Sequence, residues 1–252
     1  MIILISMLAS LLSWSNVKNF DLFFGAQGRT LPAIGAEVYA ESGYNQLLWG
    51  KKETSKDVLY GLIRPSLNVS SSAVINSTKA ELEFFPISFL GLSVGRQYIH
   101  SNYEFPFFDC DQVECKGTYE RNWFEAKMAL GHGGWVVVGN YKIDNLTGPS
   151  DDKPMADWRN VIVGAPGKDV QIDKKLVVAK MFGPHMAGVL IESTLFLESR
   201  ERRESFAAVY QYKHNDTQYM FGAGPFHTDQ HPMGLIFYFR IHHVALPTKK
   251  LF

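Results

Sequence analysis

The residues in this chain with the most reactive chemistry are its 8 histidines, its 2 cysteines and the hydroxyls and carboxylates near them. Hydrolytic chemistry needs a nucleophile, an imidazole base and an orienting carboxylate within hydrogen-bond reach. Three groups offer pieces of such a site: His100 with Ser101, His227 with Thr228 and Asp229, and His242 with His243. Adjacent residues on a strand point to opposite faces, so His100 and Ser101 cannot stand side by side. The second group has His-x-Asp where a one-face hydroxyl dyad would need His-x-Ser. A triad assembled across strands stays open, but no local nucleophile signature is present, and an enzyme is the lesser reading.

Cys110 and Cys115 enclose the polar stretch Asp111-Gln112-Val113-Glu114. Two cysteines in one loop and none elsewhere suit a disulfide made in an oxidising compartment. Free thiols are an alternative. So is a metal site drawing on Asp109, Asp111 or Glu114, although zinc usually asks for a second Cys or His pair. The acidic run Ser150-Asp151-Asp152 lacks the ligand spacing of a calcium loop. Asn-x-Ser/Thr triplets at Asn68, Asn76, Asn145 and Asn215 read as polar turn and lumen composition. No glycine-rich loop opens a helix, so neither a cofactor nor a metal is expected. Lys+Arg 25 against Asp+Glu 25 gives no basic surplus for nucleic acid.

The elements that would position these residues are strands. Ile34, Ala36, Val38 and Ala40 alternate with Glu37, Tyr39 and Glu41, and Ala80, Leu82 and Phe84 with Lys79, Glu81 and Glu83. The same period of two runs through 135–144, 187–198 and 235–242, with one apolar and one charged face each. Short connectors rich in Gly, Asn, Asp and Ser separate the runs, which favours antiparallel hairpins. The pattern predicts strands near 33–48, 57–70, 73–85, 89–104, 118–131, 133–145, 171–183, 185–198, 204–214, 217–227 and 231–244. A twelfth is expected either at 158–165 or before residue 33. No linker or composition shift divides the chain after residue 15, so residues 16–252 are read as one domain.

Three features favour a barrel in a membrane over a soluble sandwich. The runs approach the ~9–11 residues that a tilted strand needs to cross a bilayer. Aromatic residues such as Trp49, Tyr60, Tyr98, Trp123, Trp135, Tyr212 and Tyr219 gather near run ends, as interfacial girdles require. The polar face carries both signs of charge, which suits an enclosed lumen. The connectors 105–117 and 146–157 are polar and are expected to reach outward. Residues 1–15, with the uncharged apolar run Ile2–Leu12 before Ser13-Trp14-Ser15, read as a secretory signal peptide.

With this signal, the repeated amphipathic hairpins and the aromatic strand Gly234-Leu235-Ile236-Phe237-Tyr238-Phe239-Arg240-Ile241, the chain resembles bacterial outer-membrane β-barrel proteins. The segment Glu83–Leu92 looks like a periplasmic turn between two barrel strands, and Phe252 is a terminal aromatic of the kind such barrels carry. The resemblance implies an all-β, closed antiparallel transmembrane barrel of about twelve strands, with 10–14 possible. It implies residence in the outer membrane of a Gram-negative bacterium, with outer-membrane lipid and the barrel-assembly machinery as partners. It implies a small pore or a structural envelope protein. A lipid-modifying or lipid-A-modifying barrel enzyme and a soluble barrel carrier are the alternatives.

With apolar residues outward, Glu37, Glu41, Lys79, Glu81, Glu83, Arg121, Glu125, Lys127, Lys142, Asp144, Glu192, Glu198 and Arg240 point inward. Opposite charges in a narrow interior should pair, because isolated ones are costly there. The expected lumen is salt-bridged and lined by Lys79, Glu81, Glu83, Arg121, Glu125, Lys142, Glu192 and Arg240. Its acidic excess predicts at most a weak cation preference.

Overall fold

The computed structural model describes residues 19–30, 35–50, 60–105, 107–229 and 233–246. The proposed signal peptide and Phe252 lie outside them. Among the described residues every regular element is a strand. In chain order these are β1 (Phe20–Thr30), β2 (Gly35–Tyr44), β3 (Gln46–Trp49), β4 (Gly61–Ser71), β5 (Ile75–Ile87), β6 (Leu90–Ser101), β7 (Gly117–His132) and β8 (Trp135–Thr147). There follow β9 (Pro154–Asp157), β10 (Ile162–Pro166), β11 (Lys168–Phe182), β12 (His185–Phe196), β13 (Arg202–His214), β14 (Thr217–Thr228) and β15 (Gly234–Leu246).

Twelve of them close a ring in the order β1, β2, β4, β5, β6, β7, β8, β11, β12, β13, β14, β15, antiparallel throughout. The chain's first strand pairs with its last, Phe24 opposite His243 and Gly28 opposite Phe239. A second seam joins β2 to β4, Val38 opposite Ser71 through Gly43 opposite Ser66. No ring strand is left with an open edge, the condition under which a sheet can cross hydrocarbon. The short β3 continues along β4 beyond β2, and β9 and β10 form a separate two-stranded hairpin.

The expected strands appear with their ends shifted by a few residues, except that the run 33–48 is broken at Asn45 into β2 and β3; residues 33–34, 57–59 and 231–232 of the expected strands lie outside the described residues. The twelfth ring strand is β1. The stretch 158–165 instead enters the β9–β10 hairpin, where Ile162 and Ala156 are buried in a loop. Glu198 departs from the inward assignment: it lies beyond the end of β12, and its backbone N–H donates to Asp169 at 3.0 Å.

The faces sort as the alternation requires. Val38, Leu67, Leu82, Val94, Phe124, Ile191, Phe206, Phe221 and Phe237 are exposed on the outer wall, a continuous apolar band that only a lipid environment would tolerate. At one end four pairs of ring strands join through two-residue turns at 88–89, 133–134, 183–184 and 215–216, and β2 leads there into β3 before β4. Gly133 and Gly134 both take positive φ, 59° and 83°, as the tight hairpin turn matched to strand twist demands. On the outer wall at this turn end, Phe182, His185, Tyr210, Tyr212, His214 and Tyr219 stack in a belt across four strands. The other end carries the long connectors 102–116 and 148–167 and is called the loop end below.

Several inward glycines seat an aromatic ring from a neighbouring strand. The ring of Tyr39 lies over Gly25, Trp123 over Gly95 and Tyr238 over Gly222, each where a Cβ would strike the ring. Ring packing thus gives Gly95 and Gly222 a specific place on the inner wall.

Candidate functional site

The inner wall is organised as two charge networks. On the arc from β1 to β7, Arg64 is the hub. Its guanidinium donates to Asp21 at 2.9 and 3.0 Å, to Glu41 at 2.7 Å and to Glu83 at 2.7 Å. Lys127 meets Glu83 at 3.0 Å, Glu125 at 3.2 Å and Glu81 at 3.5 Å, and Lys79 closes on Glu81 at 2.5 Å. Glu125 also accepts from Ser93 and Asn140. The strands bring these groups together because Arg64, Glu83 and Ser93 occupy one register row, Arg64 opposite Glu83 and Glu83 opposite Ser93.

The second network lies on β7, β8, β11, β12 and β13. Arg121 donates to Asp144 at 2.5 and 2.6 Å and to Gln171 at 2.8 Å, and Lys142 reaches Asp144 at 2.9 Å. Lys175 pairs with Glu192 at 2.8 Å, and Ser205 donates to the same carboxylate. Asp173 accepts from Gln171 and Thr194. Arg240 is different. Its Nε donates to the Tyr39 hydroxyl at 3.1 Å, its guanidinium stacks on that ring, and no carboxylate lies within ion-pair distance among the described residues.

All eight proposed lumen residues therefore sit on inner-facing positions, and all but Arg240 have an opposite charge within 4 Å. The period-two pattern missed Asp21, Arg64, Asp173, Lys175 and Arg203. Arg64 hides inside the expected strand 57–70, where Leu62 and Ile63 side by side and Pro65 blur the contrast between the two faces. The inward run Arg64, Ser66, Asn68, Ser70 was the available signal.

The loop end is not open. Connector 148–167 does not reach outward as its polarity suggested, but turns over and into the barrel. Its turn holds Asp157, Trp158, Arg159 and Asn160, and the Asp157 carboxylate accepts from the backbone N–H groups of Arg159 and Asn160 and from the Asn160 side chain. Trp158 stacks on Phe105 with ring centroids 5.4 Å apart and meets Tyr119 of β7 edge-on. Asn160 accepts from Arg203 of β13 at 2.8 Å. Arg159 reaches Glu37 of β2 at 3.8 Å. In the ring order, β2 lies across the barrel from the β8–β11 seam where this connector originates. The turn thus crosses the lumen.

The connector 102–116 locks this crossing segment in place. Its disulfide, Cys110 to Cys115, joins residues 5.6 Å apart at Cα. Glu114 then forms a parallel bridge with Met155, its N–H donating to Pro154 at 2.7 Å and its carbonyl accepting from Ala156 at 3.1 Å. Phe105, Tyr119, Leu146, Met155, Trp158, Ile162 and Phe196 make one buried apolar cluster beneath. The aromatic content of these polar loops, Phe105, Phe107, Phe108 and Trp158, was the sequence signal for a folded cap. Each such side chain is worth about 2 kcal/mol when removed from water. Glu104, at the cap's edge, accepts from Lys116 at 2.6 Å, and that hydrogen bond and charge hold its carboxyl below the usual range.

Of the candidate catalytic histidines, His100 and His243 are not set in a triad among the described residues. His100 meets Thr118 at 3.1 Å and His243 meets Thr217 at 2.9 Å, both exposed, and neither imidazole has a carboxylate in hydrogen-bond reach among the described residues. Thr228 is buried, and Asp229 accepts from the Arg202 N–H at 2.8 Å. His242 bonds the Tyr39 hydroxyl at 2.9 Å. No group of three potential metal ligands gathers among the described residues.

No family model matches the chain, and no curated protein matches it. Solved structures do. An outer membrane channel from Pseudomonas putida F1 aligns with TM-score 0.52 at 9% identity, over 90% of this chain and 94% of that one. The beta domain of the Bordetella autotransporter Brka aligns with TM-score 0.50 at 8% identity, over 91% of this chain and 100% of that one. At such identities the likeness is one of fold: this chain is a closed twelve-stranded barrel of the outer-membrane type.

Proposed function

We propose that the chain is an outer-membrane channel whose pore is narrowed at the loop end by the inward turn Asp157–Asn160. The observation that carries this is the contact of Arg159 with Glu37 across the lumen from the turn's root. A purely structural envelope barrel has no need of a segment that crosses its interior and docks on the far wall. The barrel stands in the outer membrane of a Gram-negative bacterium with its turn end toward the periplasm, exported by residues 1–15 and inserted by the barrel-assembly machinery. Its salt-bridged walls leave little free charge, and the acid-rich arc of β1, β2 and β5 gives the narrow part a weak cation preference.

Single-channel recording in planar bilayers tests the reading. The native chain should give small, weakly cation-selective steps, and replacing residues 156–161 by a short Gly-Ser turn should enlarge them severalfold. A silent bilayer for both chains, despite a folded barrel, would remove the channel reading and leave the envelope role.

A further inference from the structure

Among the described residues the inner wall has an aliphatic sector with no charge, and it lies below the narrowing. From β7 to β13 the register row Ala129, Val138, Val177, Leu190, Ala207 is aliphatic across five strands. The next row toward the turn end holds Val136 and Val209, with Gly or Ala between them. In the row after that, Met181, Met186 and Met220 flank Gln211. These positions share the inner face with Asn140, Lys142, Lys175 and Glu192, so they do not face lipid. At ~4.8 Å between strands, the sector is about 19 Å wide.

Inner walls of membrane barrels are ordinarily polar, since water fills them. Here Val138 is 37% exposed to the lumen, and Val136, Val177, Leu190, Met186 and Met220 are half-buried. An apolar surface held open to water is a binding surface more often than an accident. What borders it identifies the ligand. Met220 pairs with Arg240, which is exposed on the inner face, leans on Tyr39 and has no carboxylate partner among the described residues. Lys213, exposed on the inner face at the mouth, has no ion pair among the described residues either. The nearest acid along Arg240's row, Glu37, is already engaged by Gln27, Ser70 and Arg159. The spare charge beside the apolar sector is therefore cationic.

We propose that this vestibule binds amphipathic anions, with a hydrocarbon body against Met220 and Met186, the edge of the sector that adjoins Arg240, and the anionic group on Arg240. The inference names a solute class for the proposed channel and so rests on that reading for transport, though not for binding. Octanoate is the probe, with acetate (same charge, no tail) and octylammonium (same tail, opposite charge) as controls. Added to the turn end of the native channel, octanoate should reduce the potassium chloride current at about tenfold lower concentration than either control, since octylammonium lacks the charge-assisted contact and acetate lacks the buried methylenes. Arg240→Gln should erase that advantage and Arg240→Lys should restore most of it, while Met186→Asn with Met220→Asn should bring octanoate down to acetate. Binding of labelled octanoate to the full chain in amphipol, against the same controls, reads the site even if no current flows. A current without octanoate preference, or equal block by octylammonium, would overturn the site and spare the channel. No current with octanoate binding intact would do the reverse.

Discussion

Arg64 is a hub of the inner wall, since three carboxylates from three strands converge on it. Removing one partner of a buried ion pair typically costs 3–5 kcal/mol, because the other is left charged and unsatisfied. Arg64→Met should therefore lower stability by about 3 kcal/mol, visible as a lower temperature for the shift from compact to extended migration in detergent gels. Arg64→Met combined with Glu83→Gln and Glu41→Gln should recover part of it; no recovery would mean the loss came from packing. The ring seats give a second expectation. Gly95→Val places a branched side chain where the Trp123 ring lies, and Trp123→Ala in the same chain should relieve the damage. At the cap, Lys116→Met should return the Glu104 carboxyl toward its ordinary titration range. The native pair contributes above that range and is lost as pH falls through the depressed value, which carboxyl-resolved NMR titration would follow.

At the scale of elements, the cap is the feature whose removal should change function without removing the fold. The apolar cluster under Trp158 and the Glu114 bridge hold the crossing turn, and the Cys110–Cys115 link holds Glu114 in place. Trp158→Ala should cost about 3–5 kcal/mol locally and give larger, noisier conductance steps, with ring-strand amide protection unchanged. Reduction of the disulfide should act in the same direction and more weakly. If neither moves the conductance, the turn does not limit the pore. Much of the ring could be read from sequence because a strand with one wet and one apolar face writes its fold in a period of two. Lys79–Phe84 and Leu235–Ile241 are plain examples. β1 could not be read so directly: Leu22-Phe23-Phe24 breaks the alternation, and Gly25, Ala26 and Gly28 add no face contrast. The crossing turn was invisible for a different reason. Asp157, Arg159 and Asn160 look like any polar loop, and what separates them from one is contact with residues more than forty positions away, such as Asn160 with Arg203.

For the whole molecule, recovery in the outer-membrane fraction and heat-dependent migration of the unboiled chain are the expected behaviour. A soluble monomer in the periplasm would contradict the exposed apolar band. The pairing of β1 with β15 also says something about how the molecule is made. Leu22 finds its partner at Leu246, nearly the whole chain away, so ring closure is the longest-range event available to this sequence. Loop-closure entropy must be met before that contact gives anything back, which makes it a slow step. Until it happens, β1 and β15 both show unpaired backbone groups, which hydrocarbon does not satisfy and another chain readily would. The hairpins of the arc from β4 to β8 can form early from local turns. They cannot settle in a bilayer alone. A chain lacking β15 should thus fail to yield a stable smaller ring and should accumulate as aggregated or degraded protein, so that delivery of the last strand acts as the commitment point of assembly.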